Sequence, residues 1–207
     1  MGIYINPGNQ GFREIQRSGY VDKTGLLSLV NHAIGTTDNL ICISRPRRFG
    51  KSFAAKMLCA YYDRSCDSHE LFEHKKIAQE EDYLEYLNRY NVICLDITGF
   101  TSEMKKQNRS LREVPVMIER AVKKELLALH PNLMLGEGES LAECLIRCVE
   151  LPGESPFVFV IDEWDAMIRE AKDDEMAQQA YLNLLRGWFK NTNFTPKVVA
   201  AAYMTGI

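Results

Sequence analysis

The chain lacks any apolar stretch that is long enough to cross a membrane. Its longest apolar runs are residues 157–161 and 198–204, far below the roughly 20 residues that a spanning helix needs. Residues 1–10, MGIYINPGNQ, carry neither a basic start nor an apolar stretch, so they do not resemble a secretory signal. These absences predict a cytoplasmic protein with no membrane partner.

Patterns typical of metal sites and disulfides are missing as well. The chain has six cysteines and four histidines, but Cys144 and Cys148 have no second pair at zinc-finger spacing. Residues 69–74 read HExxxH rather than HExxH, and the extra residue turns the second imidazole away from the helix face of the first. We therefore predict reduced structural thiols and no zinc-protease site.

The chain also has no strong net charge and no internal repeat. Its 207 residues carry 25 Lys plus Arg against 28 Asp plus Glu, a net charge of −3, and are 46% hydrophobic. This composition excludes a disordered chain and a protein that binds nucleic acid over its whole surface. No basic strip with interleaved aromatic residues is found, so we expect nucleic acid only through a linked domain.

Strand-like apolar segments alternate with helical segments along the chain. The strands are predicted at residues 39–44, 92–98, 157–161 and 197–204, and the main helices at residues 51–62, 79–88, 110–130, 140–151 and 175–190. Near-continuous apolar strands are typical of a parallel sheet that is buried on both faces. We predict one three-layer α/β/α domain over residues 1–207, with a mostly parallel sheet and mobile loops at residues 98–108 and 131–139.

The segment SRPRRFGKS, residues 44–52, joins the first predicted strand to a helix. Its last three residues match the end of the phosphate-binding loop GxxxxGK[ST]. In such a loop Gly50 lets the backbone approach a phosphate, Lys51 reaches the β- and γ-phosphates, and Ser52 holds Mg²⁺. Arg45 replaces the first glycine, so a basic strand-to-helix turn remains an alternative. The nucleotide-binding candidates are Arg47, Arg48, Phe49, Gly50, Lys51, Ser52 and Phe53.

The strand at residues 157–161 runs directly into the acidic sequence DEWD, residues 162–165. In P-loop NTPases an Asp at this point belongs to the Mg²⁺ shell, and an adjacent Glu polarises the attacking water. We therefore predict Asp162 as a metal ligand and Glu163 as a catalytic carboxylate, with Lys51 as its catalytic partner. An acidic helix start is the alternative. The two features together, each at a strand end, predict a P-loop NTPase.

Two further strand ends carry weaker candidates. Thr205, at the end of the fourth strand, is a candidate sensor of the γ-phosphate, and Asp96 is a candidate for the same crevice. Ordinary strand-end and turn residues are the alternatives. Arg186 is a speculative charge stabiliser, and no arginine finger is identified. We therefore expect a second copy of the chain, or a partner domain, to complete the site.

Three ordered segments resemble the AAA-ATPase-like domain family. They are GYVDKT at residues 19–24, the SRPRRFGKS string, and VIDEWD at residues 160–165, where Trp164 replaces the more usual Tyr. The resemblance covers nearly the whole chain and accounts for the missing first glycine. It implies ATP or GTP with Mg²⁺ at Gly50, Lys51, Ser52 and Asp162, with Glu163 as the catalytic carboxylate. It also implies that Asp22, Lys23 and Thr24 border the nucleotide site.

These observations predict a Mg²⁺-dependent ATPase that attacks the γ-phosphate in line with water. The alternatives are a nucleotide-gated interaction module without hydrolysis, a degenerate structural domain, and the regulatory ATPase part of a nuclease-linked system, since the family's domain commonly precedes a PD-(D/E)XK nuclease-like domain. Related NTPases usually place a further strand beside the P-loop strand. Because the chain stops at residues 205–207, we expect an incomplete domain with an open sheet edge, or an edge covered by something outside the chain.

Overall fold

A four-stranded sheet forms the centre of the computed structural model, which describes residues 2–46, 48–133 and 138–207. The strands are β1 (Leu40–Ser44), β2 (Asn91–Asp96), β3 (Phe157–Asp162) and β4 (Val199–Gly206). They lie in the order β1-β4-β3-β2, and every neighbouring pair is parallel. The predicted α/β fold with a parallel sheet is therefore confirmed.

Helices cover both faces of this sheet and complete the three layers. They are α1 (Gln10–Arg17), α2 (Gly25–Ala33), α3 (Lys51–Tyr62), α4 (His69–Phe72), α5 (Tyr83–Tyr86), α6 (Ile97–Lys106), α7 (Val114–Leu129), α8 (Leu141–Val149), α9 (Ala166–Glu170), α10 (Glu175–Phe189) and α11 (Thr195–Val198). Short 3-10 turns lie at Lys76–Gln79 and Leu111–Glu113. Within the described ranges, no helix combines the length and the hydropathy needed to span a bilayer.

The sheet divides the interior into two hydrophobic cores. Phe157, Phe159 and Ile161 of β3 pack with α6, α7, α8 and α10, whereas Val158 and Val160 pack with α1, α2 and α3. Successive side chains of a strand point to opposite faces, so a strand between two cores must be apolar at nearly every position. All six residues of β3 are buried, which explains its continuous apolar sequence.

The strand that precedes the phosphate loop lies at an edge of the sheet. In the described part of the chain β1 pairs only with β4, and its residues alternate between exposed and half-buried. Leu40 is 37% exposed, and Cys42 is also exposed. The edge of the sheet formed by β1 is the edge that the sequence predicts to be open or covered from outside the chain.

The structure corrects the predicted loop at residues 98–108, most of which is helix α6. Asp96 caps that helix by accepting a hydrogen bond from the Thr98 amide, and Phe100 and Met104, four residues apart, are buried in the core. Gly99 and the β-branched threonines weaken the local helix signal. Tertiary burial of one face therefore outweighs local propensity. Of the second predicted loop, residues 134–137 lie outside the described residues.

Some helix boundaries differ from the predictions. Within the predicted helix at 79–88, the structure has only the four-residue α5 and the last residue of the 3-10 turn at Lys76–Gln79. The capping box predicted at Ser140 and Glu143 is present, but Ser110 caps only a 3-10 turn. Its expected partner Glu113 pairs with Arg109 instead.

Candidate functional site

The carboxyl ends of the strands open into a cavity of about 530 Å³. Parallel strands all point the same way, so the loops that follow them meet at one edge of the sheet. The residues that line the cavity are Arg48, Gly50, Lys51, Ser52, Phe53, Asp96, Thr98, Asp162, Glu163, Arg169 and Glu170. The two sequence features at the ends of β1 and β3 therefore face one another across a single cavity.

The loop between β1 and α3, the predicted phosphate loop, makes a tight turn. Gly50 has a φ of +75°, and Arg48 has a φ of +70°, a region that residues with a Cβ rarely adopt. A Cβ at position 50 would stand 2.7 Å from Lys23 Nζ. Lys51 then begins the twelve-residue helix α3, whose N-terminal amides and dipole favour an anion.

Lys51 lies against the floor of the cavity and is only 8% exposed. Its Nζ donates a hydrogen bond of 2.8 Å to the Arg45 carbonyl and lies 3.3 Å from Glu163 Oε1. A buried ammonium needs such partners to compensate for lost hydration. Lys51 of the loop is therefore paired with Glu163, the glutamate that follows β3.

The acidic end of β3 is held in an unusual backbone conformation. Glu163 has a φ of +51°, and its amide donates to Asp162 Oδ1 at 3.1 Å and to Thr205 Oγ1 at 3.4 Å. The Thr205 hydroxyl also donates to Asp162 Oδ1. Thr205, the sensor candidate, is fully buried and contacts Asp162, so it orients the aspartate rather than lining the cavity.

Arg169 lines the cavity, although no sequence motif singled it out. Its Nη2 pairs with Glu163 Oε2, and its Nε donates to Asp165 Oδ2 at 3.0 Å. The available signal was its position four residues after Asp165, one turn into the helix that follows the acidic motif. Arg186, the speculative stabiliser, instead donates to Asn183 on its own helix.

Asp96 contributes a third carboxyl group to the cavity wall. Burial raises its pKa above the usual value, and the negative charges of Asp162 and Glu163 raise it further, against hydrogen bonds from the Gly99 and Thr98 amides. Carboxylate and hydroxyl oxygens are the ligands that Mg²⁺ prefers. Ser52, Asp96 and Asp162 carry such oxygens and line one cavity, so the chemistry of these side chains suits a magnesium ion.

The GYVDKT segment lies beside the phosphate loop, and four of its residues share a hollow with that loop. Lys23 Nζ donates to the Phe49 carbonyl at 3.0 Å. Asp22 accepts from the Thr24 and Lys76 amides, and Thr24 Oγ1 accepts from the Ile77 amide. Asp22 and Thr24 thus fasten this segment to the 3-10 turn and are not among the described residues that line the cavity.

A smaller hollow of about 350 Å³ adjoins the other side of the phosphate loop. Phe49 and Phe53, both predicted to contact nucleotide, form part of its wall and are 59% and 47% exposed. Phe53 also lines the larger cavity. Arg47, another nucleotide-binding candidate, lies outside the described residues.

Comparison with known families identifies a match to this chain. The model of a family described as a predicted AAA-ATPase matches residues 7–207, which include the phosphate loop, the acidic strand end and Thr205. No curated protein matches the chain. The match covers almost the whole chain.

Proposed function

The chain belongs to the AAA-ATPase-like family of predicted AAA-ATPases, and from this premise we propose that it binds ATP in the large cavity and hydrolyses the bond between the β- and γ-phosphates. One observation carries the proposal. Lys51 and Glu163, from loops after different strands, lie 3.3 Å apart at one cavity. A phosphate-binding cation next to a carboxylate that can accept a proton is what γ-phosphate hydrolysis requires.

Binding of the triphosphate is the first step. The amides at the start of α3 and the Lys51 ammonium attract the β- and γ-phosphates. Lys51 then exchanges its contact with Glu163 for contacts with phosphate oxygens, which carry more negative charge. Gly50 has no side chain, so the phosphates can approach the loop backbone closely.

Ser52 and Asp162 are the residues that would hold Mg²⁺, with Asp96 close enough to the same cavity to contribute. Bound there, the ion would neutralise charge on the phosphate oxygens. Thr205 and the Glu163 amide, both bonded to Asp162 Oδ1, keep that carboxylate in a fixed orientation.

Glu163 is the group that would position the attacking water and accept its proton. Its carboxylate follows β3 and lines the cavity beside the phosphate loop. As water attacks the γ-phosphorus, the bond to the β-phosphate oxygen breaks, and Lys51 stabilises the developing charge. We propose that a second copy of the chain or a partner domain supplies any further arginine.

The test compares phosphate release by the wild type, Glu163→Gln and the exposed control Glu81→Gln, together with ATP–Mg²⁺ titration calorimetry. We expect release to fall roughly 100-fold or more in Glu163→Gln, because general-base catalysis contributes about that much. Lys51→Ala should lose ATP binding, whereas Glu81→Gln should behave as wild type. A parallel titration with GTP determines the base preference, and activity that rises with protein concentration supports an oligomeric site.

Two results would contradict the proposal. Tight binding with equal, negligible release by the wild type and Glu163→Gln would establish a nucleotide-gated module instead. An absence of heat and of thermal stabilisation with ATP–Mg²⁺ would establish a structural domain that binds no nucleotide.

A further inference from the structure

We infer that Arg169 is a positioning residue that holds one oxygen of Glu163 while the other oxygen receives the attacking water. The inference rests on the proposed ATPase function and deepens it. It assigns a role to a residue that neither the motifs nor the family match identifies. Its basis is the unequal way in which two cations contact the same carboxylate.

Each oxygen of Glu163 has a cation of its own. Oε1 lies 3.3 Å from Lys51 Nζ, and Oε2 is paired with Arg169 Nη2. Each oxygen of the carboxylate therefore faces a cation. An oxygen keeps a second lone pair beside its cation, but departure of one cation opens one oxygen fully to water.

Lys51 is the cation that a nucleotide removes. It lies in the phosphate loop at the start of α3, and it also donates a hydrogen bond to the Arg45 carbonyl. A triphosphate brings several negative oxygens to this place, and an ammonium is a compact charge on a flexible chain. When Lys51 turns to the phosphates, Oε1 of Glu163 becomes free on the cavity side.

Arg169 is held in place by two carboxylates. Its guanidinium is anchored by Asp165 through Nε at 3.0 Å and reaches Glu163 through Nη2. The planar fork of an arginine holds two such partners at once, which a lysine does not match. Asp165 also accepts a hydrogen bond from the Ile207 amide. The arginine is therefore tied to the backbone near the end of β4 as well as to α9.

The consequence is a carboxylate that is held at one oxygen and free at the other. Without Arg169, the Glu163 backbone would keep its conformation, since the bonds of its amide to Asp162 and Thr205 remain. Its side chain would then rotate freely or follow Lys51. Misplacement of a catalytic group by about 1 Å costs roughly 100-fold in rate, so the loss should appear in kcat rather than in nucleotide affinity.

The experiment measures kcat and KM for ATP, and the affinity for the β,γ-imido analogue of ATP with Mg²⁺, in four proteins. These are the wild type, Arg169→Ala, Arg169→Lys and the control Arg109→Ala, which removes an exposed arginine paired with Glu113. We expect Arg169→Ala to lower kcat roughly 10- to 100-fold, with analogue affinity changed less than about twofold. Arg169→Lys should recover part of the rate, and Arg109→Ala should match the wild type.

A second readout does not depend on turnover. In ¹⁵N-arginine-labelled protein, slow rotation of the Arg169 guanidinium should give resolved Nη signals with and without the analogue, and Glu163→Gln should broaden them. The inference is overturned if those signals collapse when the analogue binds, or if Arg169→Ala keeps the wild-type kcat. It is also overturned if analogue affinity falls in parallel with kcat, since Arg169 would then contact phosphate. A wild type that hydrolyses no faster than Glu163→Gln refutes the proposed function instead, and the guanidinium signals still decide the contact.

Discussion

Two clusters of polar residues lie at opposite ends of the same sheet and use their hydrogen-bonding groups differently. The amino-end cluster consists of Asn6, Asp63, Asn88 and Asn91, next to the start of β2. The cavity cluster consists of Lys51, Asp96, Asp162, Glu163 and Arg169, at the carboxyl ends of the strands. Both contain buried polar groups, Asp63 and Asn91 in the first and Lys51 and Asp162 in the second, and the second lines the large cavity.

In the amino-end cluster, the polar side chains form hydrogen bonds mainly with backbone amides and carbonyls. Asp63, fully buried, accepts from the Gly8 and Ser65 amides. Asn88 donates to the Asp63 carbonyl at 2.6 Å and accepts from the Ser68 amide at 2.9 Å. Asn6 donates to the Asn91 side chain and accepts from the Val92 amide. Buried polar groups that are satisfied by backbone partners fix the path of loops.

In the cavity cluster, three charged side chains pair with one another, whereas Asp162 accepts from the Glu163 amide and the Thr205 hydroxyl, and Asp96 accepts from the Thr98 amide. Lys51 and Arg169 contact different oxygens of the Glu163 carboxylate. Burial and neighbouring negative charges raise the pKa of Asp96.

Both clusters contain residues with positive φ, Asn6 and Asn88 in the first and Glu163 in the second, so backbone strain does not separate them. The difference lies in the bonding partners: the amino-end side chains bond to backbone groups and to each other, whereas charged side chains of the cavity cluster pair with one another beside a cavity.

The largest effect is expected for Asn88→Ala, which should break the amino-end cluster. It removes the hydrogen bonds to the Asp63 and Ala60 carbonyls and from the Ser68 amide, and it leaves an alanine at a φ of +56°. Three lost hydrogen bonds of about 1 kcal/mol each, plus about 1 kcal/mol of backbone strain, predict a loss of roughly 4 kcal/mol in urea denaturation.

The matched control for that change is Asn108→Ala. Asn108 also has a positive φ, of +52°, but it is exposed, so only the strain of about 1 kcal/mol should be lost. ATP affinity should be unchanged in both folded variants. Equal losses of stability in the two variants would show that the hydrogen bonds of Asn88 contribute nothing.

A smaller loss of stability, with a separate effect on binding, is expected for Gly50→Ala. The variant places a Cβ at a φ of +75° and 2.7 Å from Lys23 Nζ, and Lys23 can move aside at little cost. Thermal denaturation should show a loss of about 1 kcal/mol, and calorimetry should show about tenfold weaker ATP binding, because phosphate approaches the loop backbone there.

Gly153→Ala is the control that separates backbone strain from an effect on ATP binding. Gly153 has a φ of +81°, and apart from its chain neighbours no described residue places a heavy atom within 4 Å of the Cβ that alanine would add. The variant should lose about the same stability as Gly50→Ala and bind ATP as tightly as the wild type. Equally weakened binding in both variants would refute a specific role for the loop.

The smallest effect, with the opposite sign, is expected for Asp96→Asn. Burial and the charges of Asp162 and Glu163 raise the pKa of Asp96, so its ionised form disfavours folding once the pH exceeds the unfolded value near 3.8. Asparagine keeps an oxygen for the Thr98 amide. Without nucleotide at pH 7, the variant should be more stable than the wild type by less than about 1 kcal/mol, and the gain should vanish below about pH 4.

Asp174→Asn provides the control, because Asp174 also caps a helix but has its pKa lowered by its hydrogen bond to Arg112. A lowered pKa stabilises the fold above the unfolded value, so this variant should lose stability at pH 7 and match the wild type in acid. The same sign of change in both variants would show that the cavity charges do not oppose folding.

The sequence predicted the parts of the site that follow directly from a strand. The phosphate loop after β1 and the acidic residues after β3 were found, because a buried strand leaves a continuous apolar run that ends at the polar site residue. Helix α6 was missed because burial of Phe100 and Met104 outweighs local propensity. Arg169 was missed because its spacing of four residues from Asp165 is a common helix pattern, and its pairing with Glu163 depends on the tertiary structure.

The amino-acid sequence by itself determined the alternation of strands and helices, the positions of the phosphate loop and acidic motif, and the family of the chain. Tertiary structure alone decided that Lys51 and Glu163 share an ion pair, that Thr205 orients Asp162, and that Asp22 and Thr24 fasten a loop. The physical reason is that patterns of hydrophobicity act between neighbours in the chain. Distances between residues far apart in sequence depend instead on how the sheet orders its strands.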